Sequence, residues 1–301
     1  MASPTTPMHG KLGALYRLRP NGFKGDGLND VTWGTAFSGA DSAYFEVVID
    51  GVGTGTAGVD TFKWRKDGGA WTETVDITGA AQTLSDGQTI TFAATTGHTA
   101  ADQWIIGNLK DEPTTESSAT AQITDALMRL LNPNSPPTFT DVGGANVLTI
   151  NYTNGTAVFD AAVGIVDVDG NNGYIPDAAL EKIGYLIDWN LEFSLDMAEI
   201  SRQGQHWKEV LPGQAGGSGG ANAYYIAIDS FFELLEDNID GTQDYFLVEL
   251  FNYDPDQDQT GDHFIAWVTF NSWGINPTVN DVVKEKIGFQ IHGMISIKAN
   301  A

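Results

Sequence analysis

Residues able to do chemistry are plentiful in this chain, but their spacing fits no reaction centre. Asp167-Val-Asp-Gly-Asn-Asn-Gly173 starts like a calcium loop, yet its sixth position is Asn172 where glycine is needed, and its twelfth is Ala178 where a bidentate glutamate belongs. It reads as a plain turn. Asp254, Asp256, Asp258 and Asp262 crowd four carboxylates between two strand-like runs, again without that glycine and glutamate, and read as a solvated hairpin tip. The five histidines, His9, His98, His206, His263 and His292, lack the spacing of zinc ligands, and no Ser and His share a nucleophile motif. Among 39 acids nothing singles out the pair that glycoside cleavage needs. The run Gly213-Gln-Ala-Gly-Gly-Ser-Gly-Gly220 could cradle a phosphate, but no Lys follows it and strands flank it, so it reads as a mobile or interface loop. Trp64, Trp71 and Trp104 lie in or at the ends of strand-like runs and read as core residues instead of a sugar platform. Asn151-Tyr-Thr and Asn154-Gly-Thr fit the glycosylation pattern, which carries no weight without an export signal. The expectation is a protein that is not an enzyme and holds neither cofactor nor metal.

Composition sets the frame for the elements. Hydrophobic residues at 42% against 18% charged ones describe a folded chain, and 301 residues suffice for about two domains of roughly 150 residues each. With no cysteine, neither disulfides nor thiolate metal sites contribute. The first residues, Met1-Ala-Ser-Pro-Thr-Thr-Pro-Met8, lack an apolar signal core, and no apolar run nears the roughly 18 residues that span a bilayer, so a soluble protein made in the cytoplasm is expected. The net charge is −24, and residues 116–301 carry 26 of the acids against seven bases. Such acidity opposes tight nucleic-acid binding, which needs phosphate neutralisation by Lys and Arg. It is open at this point whether the charge only confers solubility or repels a polyanion.

Three regions separate along the chain. Residues 1–43 read as an N-terminal arm with short strands. Residues 44–107 are rich in Thr, Gly, Val and Asp, and turn signals such as Asp50-Gly51, Asp67-Gly68-Gly69, Asp86-Gly87 and Thr96-Gly97 divide them into short strands, the pattern of a small antiparallel sandwich. Residues 108–301 carry long strand-like runs, among them Val147–Tyr152, Val163–Val168, Tyr224–Ile228, Tyr245–Phe251, Phe264–Phe270 and Ile287–Ile297. Within this region Thr124–Leu131 reads as a short helix, residues 178–183 as a helical turn, and Phe231–Asp237, capped by Asp229 or Ser230, as a clear helix with Phe231, Leu234 and Leu235 on one face. These elements suggest a mainly β protein: a two-sheet β-sandwich flanked by one α-helix, plus the small sandwich near the N-terminus.

The segment that says most is 189–213. Leu191, Phe193, Leu195 and Met197 alternate with Glu192, Ser194 and Asp196, a strand with one buried and one wet face, and a polar connection from Ile200 then runs to Trp207 and the Pro212-Gly213 stop. Through Gly204, Trp207, Lys208, Glu209, Leu211, Pro212 and Gly213 this stretch resembles the major tail tube proteins of long, non-contractile phage tails, a likeness that spans 108–301 and the arm. Residues 44–107 resemble an immunoglobulin-like module of phage structural proteins, through Asp60-Thr-Phe-Lys-Trp64, Asp67-Gly-Gly-Ala-Trp71, Leu84-Ser-Asp-Gly-Gln-Thr-Ile-Thr-Phe92, Gly97-His-Thr and Asp102-Gln-Trp104. The resemblance implies a structural subunit of a tail tube, with hexameric rings stacked around an acidic lumen that conducts double-stranded DNA without binding it tightly. It also implies a place in the virion tail after assembly in the host bacterial cytoplasm, with terminator, tape measure and distal tail proteins as partners and no membrane. Glu192, Asp196 and Glu249 are the lumen-facing candidates. Gly22, Phe23, Trp33, Gln205, Trp207, Gly216 and Gly217 are the candidates for subunit contacts, with Gly22–Gly27 and 201–223 as flexible segments. The alternative is a β-sandwich adhesin or carbohydrate-binding module.

Overall fold

The computed structural model describes residues 8–200, 209–224, 245–251, 262–276 and 284–299. In chain order the strands are β1 (Met8–Leu18), β2 (Val31–Trp33), β3 (Ala43–Gly51), β4 (Thr61–Lys66), β5 (Thr72–Asp76), β6 (Gln82–Thr83), β7 (Thr89–Phe92), β8 (Gln103–Leu109), β9 (Thr114–Ser117), β10 (Thr120–Ile123), β11 (Thr138–Asp141), β12 (Val147–Asn151), β13 (Thr156–Phe159), β14 (Val166–Tyr174), β15 (Leu180–Ile200), β16 (Glu209–Tyr224), β17 (Phe246–Phe251), β18 (Asp262–Asn276) and β19 (Lys284–Ala299). The protein is mainly β, and its helical pieces among the described residues are single 3-10 turns. The expected helix at 124–131 shortens to such a turn at Ala126–Met128, where the Asp125 carboxylate accepts from the Leu127 amide at 2.9 Å. The turn expected at 178–183 ends at Ala179, because β15 begins at Leu180. The helix expected at 231–237 lies outside the described residues. No helix among the described residues is long and apolar enough to cross a membrane.

The chain forms two compact units, residues 1–16 with 182–301, and residues 17–181. The first is a closed barrel in the order β1-β15-β16-β19-β18-β17. This differs from the expected two-sheet sandwich. Long strands explain the closure: β15 runs for 21 residues and β19 for 16, and register shifts at Ile187/Asn190, Leu195/Met197, Ile265/Trp267 and Phe270/Ser272 bend the ladders so that their edges can meet. Period-two alternation decides what fills it. Trp189, Leu191 and Phe193 of β15, Phe246, Val248 and Leu250 of β17, Phe264, Ala266 and Val268 of β18, and Ile287 and Phe289 of β19 form one interior cluster. At the closing seam the indole of Trp189 donates to the carbonyls of Leu12 on β1 (2.9 Å) and Phe251 on β17 (3.0 Å).

The glycine run read as a loop is a strand. β16 is paired along its length with β15 and through Ser218–Tyr224 with β19. A β-carbon at Gly219 would sit 2.5 Å from the Phe289 ring, and one at Gly217 would sit 2.6 Å from the end of Ile291. The absent side chains are what give these large interior groups their space.

In the second unit a six-stranded sheet (β11-β14-β8-β3-β4-β5) accompanies a three-stranded sheet (β2-β7-β6) and a four-stranded one (β12-β13-β10-β9). One core gathers Phe45, Val47, Phe62, Ile90, Phe92 and Trp104, and a second gathers Ile123, Leu131, Phe159, Val168 and Tyr174. The Asp67-Gly68 and Asp86-Gly87 turn signals hold: both residues of each pair have positive φ, 49° and 67°, then 52° and 73°. Asp167–Gly173 is not a turn; it is the body of β14, which pairs with β8 and β11 and takes only a local irregularity between Gly170 and Tyr174. Trp104 is fully buried and Trp64 packs against the same core, but Trp71 is only half-buried, with Arg65 and Lys63 over its ring at 4.4 and 4.9 Å.

His98 anchors this core electrostatically. Its buried ring bridges Asp60 (Nδ1 to Oδ2, 3.0 Å) and Asp30 (Nε2 to Oδ1, 3.1 Å), edge-on to Phe92. Burial alone would raise the Asp60 pKa, but the amides of Gly53 and His98 and the His98 ring hold its carboxyl below the ordinary value of 3.8.

Candidate assembly face

The described interior of the barrel is an apolar cluster, and the polar side chains of its strands lie on the outside. Because Leu191, Phe289 and Phe270 point inward, their neighbours one residue along point outward. The ladder aligns four of these outward residues in one row across four strands: Glu192 opposite Ser218, Ser218 opposite Gln290, and Gln290 opposite Thr269. Glu192 and Gln290 are exposed and the other two partly so. Gln290 is held in place by donating to the Gly217 carbonyl at 2.9 Å. The adjacent row is Asn190, Gly220, Gly288 and Ser272. This makes a surface of small neutral polar groups with the Glu192 carboxylate at its β15 side. The exposed ammonium of Lys286 lies two rows away, where β19 pairs with Asn222.

On β17 and the facing part of β18 the outward side differs. Leu247, Ile265 and Trp267 are buried there. Glu249 shares that side, accepts a 3.1 Å hydrogen bond from the Tyr16 hydroxyl, and lies 3.7 Å from Nε2 of His263, whose ring packs on Phe251. Burial first, and then the Glu249 charge and hydrogen bond, push the Tyr16 phenol up to about 12. The carboxylate inside the apolar run of β17 therefore has a phenol partner.

The expected contact residues are distributed differently. Phe23 stacks on Trp104 with ring centroids 5.0 Å apart, and the Trp33 indole donates to the Asn21 carbonyl at 3.2 Å, both within residues 17–181. The glycines expected to be flexible at 22–27 are instead close-packed: Gly22 has φ 67° and lies against the Ile105 backbone, and the neighbouring Lys24 exchanges two backbone hydrogen bonds with Gln103 at 2.7 and 2.8 Å. Gly216 lies on the outward side of β16 and Gly217 on the inward side. Asp196 belongs to β15, but its side chain is outside what the structure describes, as are Gln205, Trp207 and the acidic stretch 254–261. Among the described residues no group of three or more His, Asp or Glu is arranged to hold a metal ion. Ser218, Thr269 and Gln290 were not picked out from the sequence, although the alternation Ile287-Gly-Phe-Gln-Ile already sets Gln290 apart from Phe289.

No family model matches the chain, and no curated protein matches it. Several solved chains are similar to part of it, among them two from gene transfer agent particles. One is a chain from the tail of an empty GTA particle, obtained by helical refinement with C6 symmetry, at 16% identity and a TM-score of 0.30 over 40% of this chain and 87% of that one. The other is a chain from the virion of a native gene transfer agent particle, at 19% identity and a TM-score of 0.30 over 41% of this chain and 92% of that one.

Proposed function

We propose that this chain is a structural subunit of a phage-like tail tube, whose copies close into hexameric rings and stack around a conduit for double-stranded DNA. The observation that carries this reading is the row Glu192, Ser218, Gln290 and Thr269 on the outside of a barrel with an apolar interior cluster. The row itself presents neutral polar groups and a carboxylate repeated in every copy, with the nearest described cation, Lys286, two rows away, and its repulsion of DNA grows at low salt. The net charge of −24 and the tube-like segment from Gly204 to Gly213 agree with it. In this reading the closed barrel is the tube-type sandwich with its edges joined, and 231–237 supplies its helix. Asp196 and Glu249 add to the acidic wall, and Gln205, Trp207 and Gly216 take part in ring contacts. The subunit meets terminator, tape measure and distal tail proteins in the virion tail, after assembly in the host cytoplasm, and performs no catalysis. Carbohydrate binding through the tryptophans is disfavoured, since Trp64 and Trp104 pack in the core and cationic side chains cover the Trp71 ring.

Negative-stain microscopy of the purified protein tests the proposal. Rings or tubes are expected; small monodisperse particles at every protein concentration would overturn it.

A further inference from the structure

Residues 17–181 hold a cleft of about 430 Å³ lined by Tyr44, Tyr174, Ile105 and Leu127 among others. Leu127 is 77% exposed, an unusual position for a leucine beside a half-open apolar space. Carboxylates also line the cleft. Asp67 uses one oxygen to accept from the Tyr44 amide (2.8 Å), Asp125 uses one for the Leu127 amide (2.9 Å), and Glu46 is paired with Arg65 at 2.5 Å. None of the lining residues is basic.

Carboxylates alone would mean only a solvated rim. Tyr174 makes the difference. It is 3% exposed and lines the cleft, and no described residue hydrogen-bonds its hydroxyl. The hydroxyl is not among the buried polar atoms that lack a partner, so its oxygen is reached by solvent and is open to a ligand that enters the cleft. Burial first, and then the charges of Asp67, Asp125 and Glu112, push its pKa well above the ordinary phenol value, so the group stays a neutral hydroxyl. Its oxygen can accept from a cationic N–H.

We propose that this cleft binds an alkylammonium group, with the cation between Tyr44, Tyr174 and the Asp67 carboxylate and its apolar stem along Ile105 and Leu127. The source is either a free diamine or a lysine side chain of a protein segment. The site stands on residues 17–181 alone and does not depend on tube formation.

Isothermal titration calorimetry of the full chain with cadaverine, Nα-acetyl-lysine methylamide and 1-pentanol tests it. Saturable heat is expected from one or both cations and not from the alcohol; tighter binding of the diamine points to a free polyamine, and tighter binding of the amide to a lysine side chain. Tyr174→Phe, which keeps the ring, and Asp67→Asn are each expected to weaken binding by about tenfold, while Asp169→Asn, outside the cleft, leaves it unchanged. Should Tyr174→Phe fail to fold, Asp67→Asn keeps the test, because asparagine tolerates the φ of 49° at that position. No saturable heat from either cation, equal binding of the alcohol, or wild-type affinity in the folded variants overturns the proposal.

Discussion

Trp189 fills the barrel seam with its ring while its single N–H is shared by the carbonyls of Leu12 and Phe251, so one side chain joins the first strand to two distant ones. Trp189→Phe keeps most of the apolar volume and removes the donor; a loss of about 1–3 kcal/mol is expected, read as a lower urea midpoint. Trp189→Ala adds a cavity and should cost about 3–5 kcal/mol by the same measurement. At Asp60 the relevant variable is pH. Its folded pKa is lowered, so the stability it contributes is fully present above the unfolded value and is lost as pH falls below 3.8 through the folded value. Thermal melts of wild type should therefore weaken more steeply over that acid range than melts of Asp60→Asn, which no longer titrates there. Parallel curves for the two proteins would show that the His98 bridge contributes nothing through ionisation.

At the scale of elements, β16 shows that propensity and packing can disagree. Valine favours strands by propensity, yet Gly219→Val would press its branches into the Phe289 ring, and a loss of about 1–3 kcal/mol or more is expected in urea unfolding. The double change Gly219→Val with Phe289→Leu should recover part of it, a coupling that a double-mutant cycle reads directly. The same strand shows what was legible beforehand. The alternation from Leu191 to Phe193 gave the wet side of β15, and Asp67-Gly68 and Asp86-Gly87 gave their turns, because both signals are local. The glycine run read as a loop because its reason for being extended is Phe289, seventy residues later. Closure of the barrel was hidden likewise, since it depends on bulges and on β1, far away in the chain. On the candidate face, Glu192 was legible from its own strand. Its row was not, since register between β15, β16, β19 and β18 exists only once the strands pair.

For the whole molecule the wall-charge proposal makes a functional prediction. Glu192→Lys should leave barrel stability and ring formation close to wild type, since the side chain is exposed and outside the core, and should slow DNA passage in assembled tails. Tube counts by microscopy and ejection followed with a DNA-binding dye measure the two parts; wild-type ejection would remove Glu192 from the conduit wall. A second prediction concerns the two units. The ends of the 17–181 unit are fastened together, Arg17 to Glu181 at 2.5 Å and the Arg19 amide to the Ala179 carbonyl at 3.1 Å. Joining Tyr16 to Lys182 through a short Gly-Ser linker should therefore yield a folded barrel, and residues 17–181 alone should fold as well, both checked by cooperative thermal melts. Cutting at 45 and 106 instead splits β8 after Ile106 and removes most of β3, its neighbour in the six-stranded sheet, and should leave the remainder unfolded.

Those fastened ends also bear on inheritance. A chain that leaves a barrel and returns at nearly the same point makes the intervening stretch an exchangeable cassette, whose length and content do not alter the barrel's own hydrogen bonds. A recombination event bounded by codons 17 and 181 could then exchange that whole unit in one step, and the same two positions are where a foreign domain would be grafted with least disturbance.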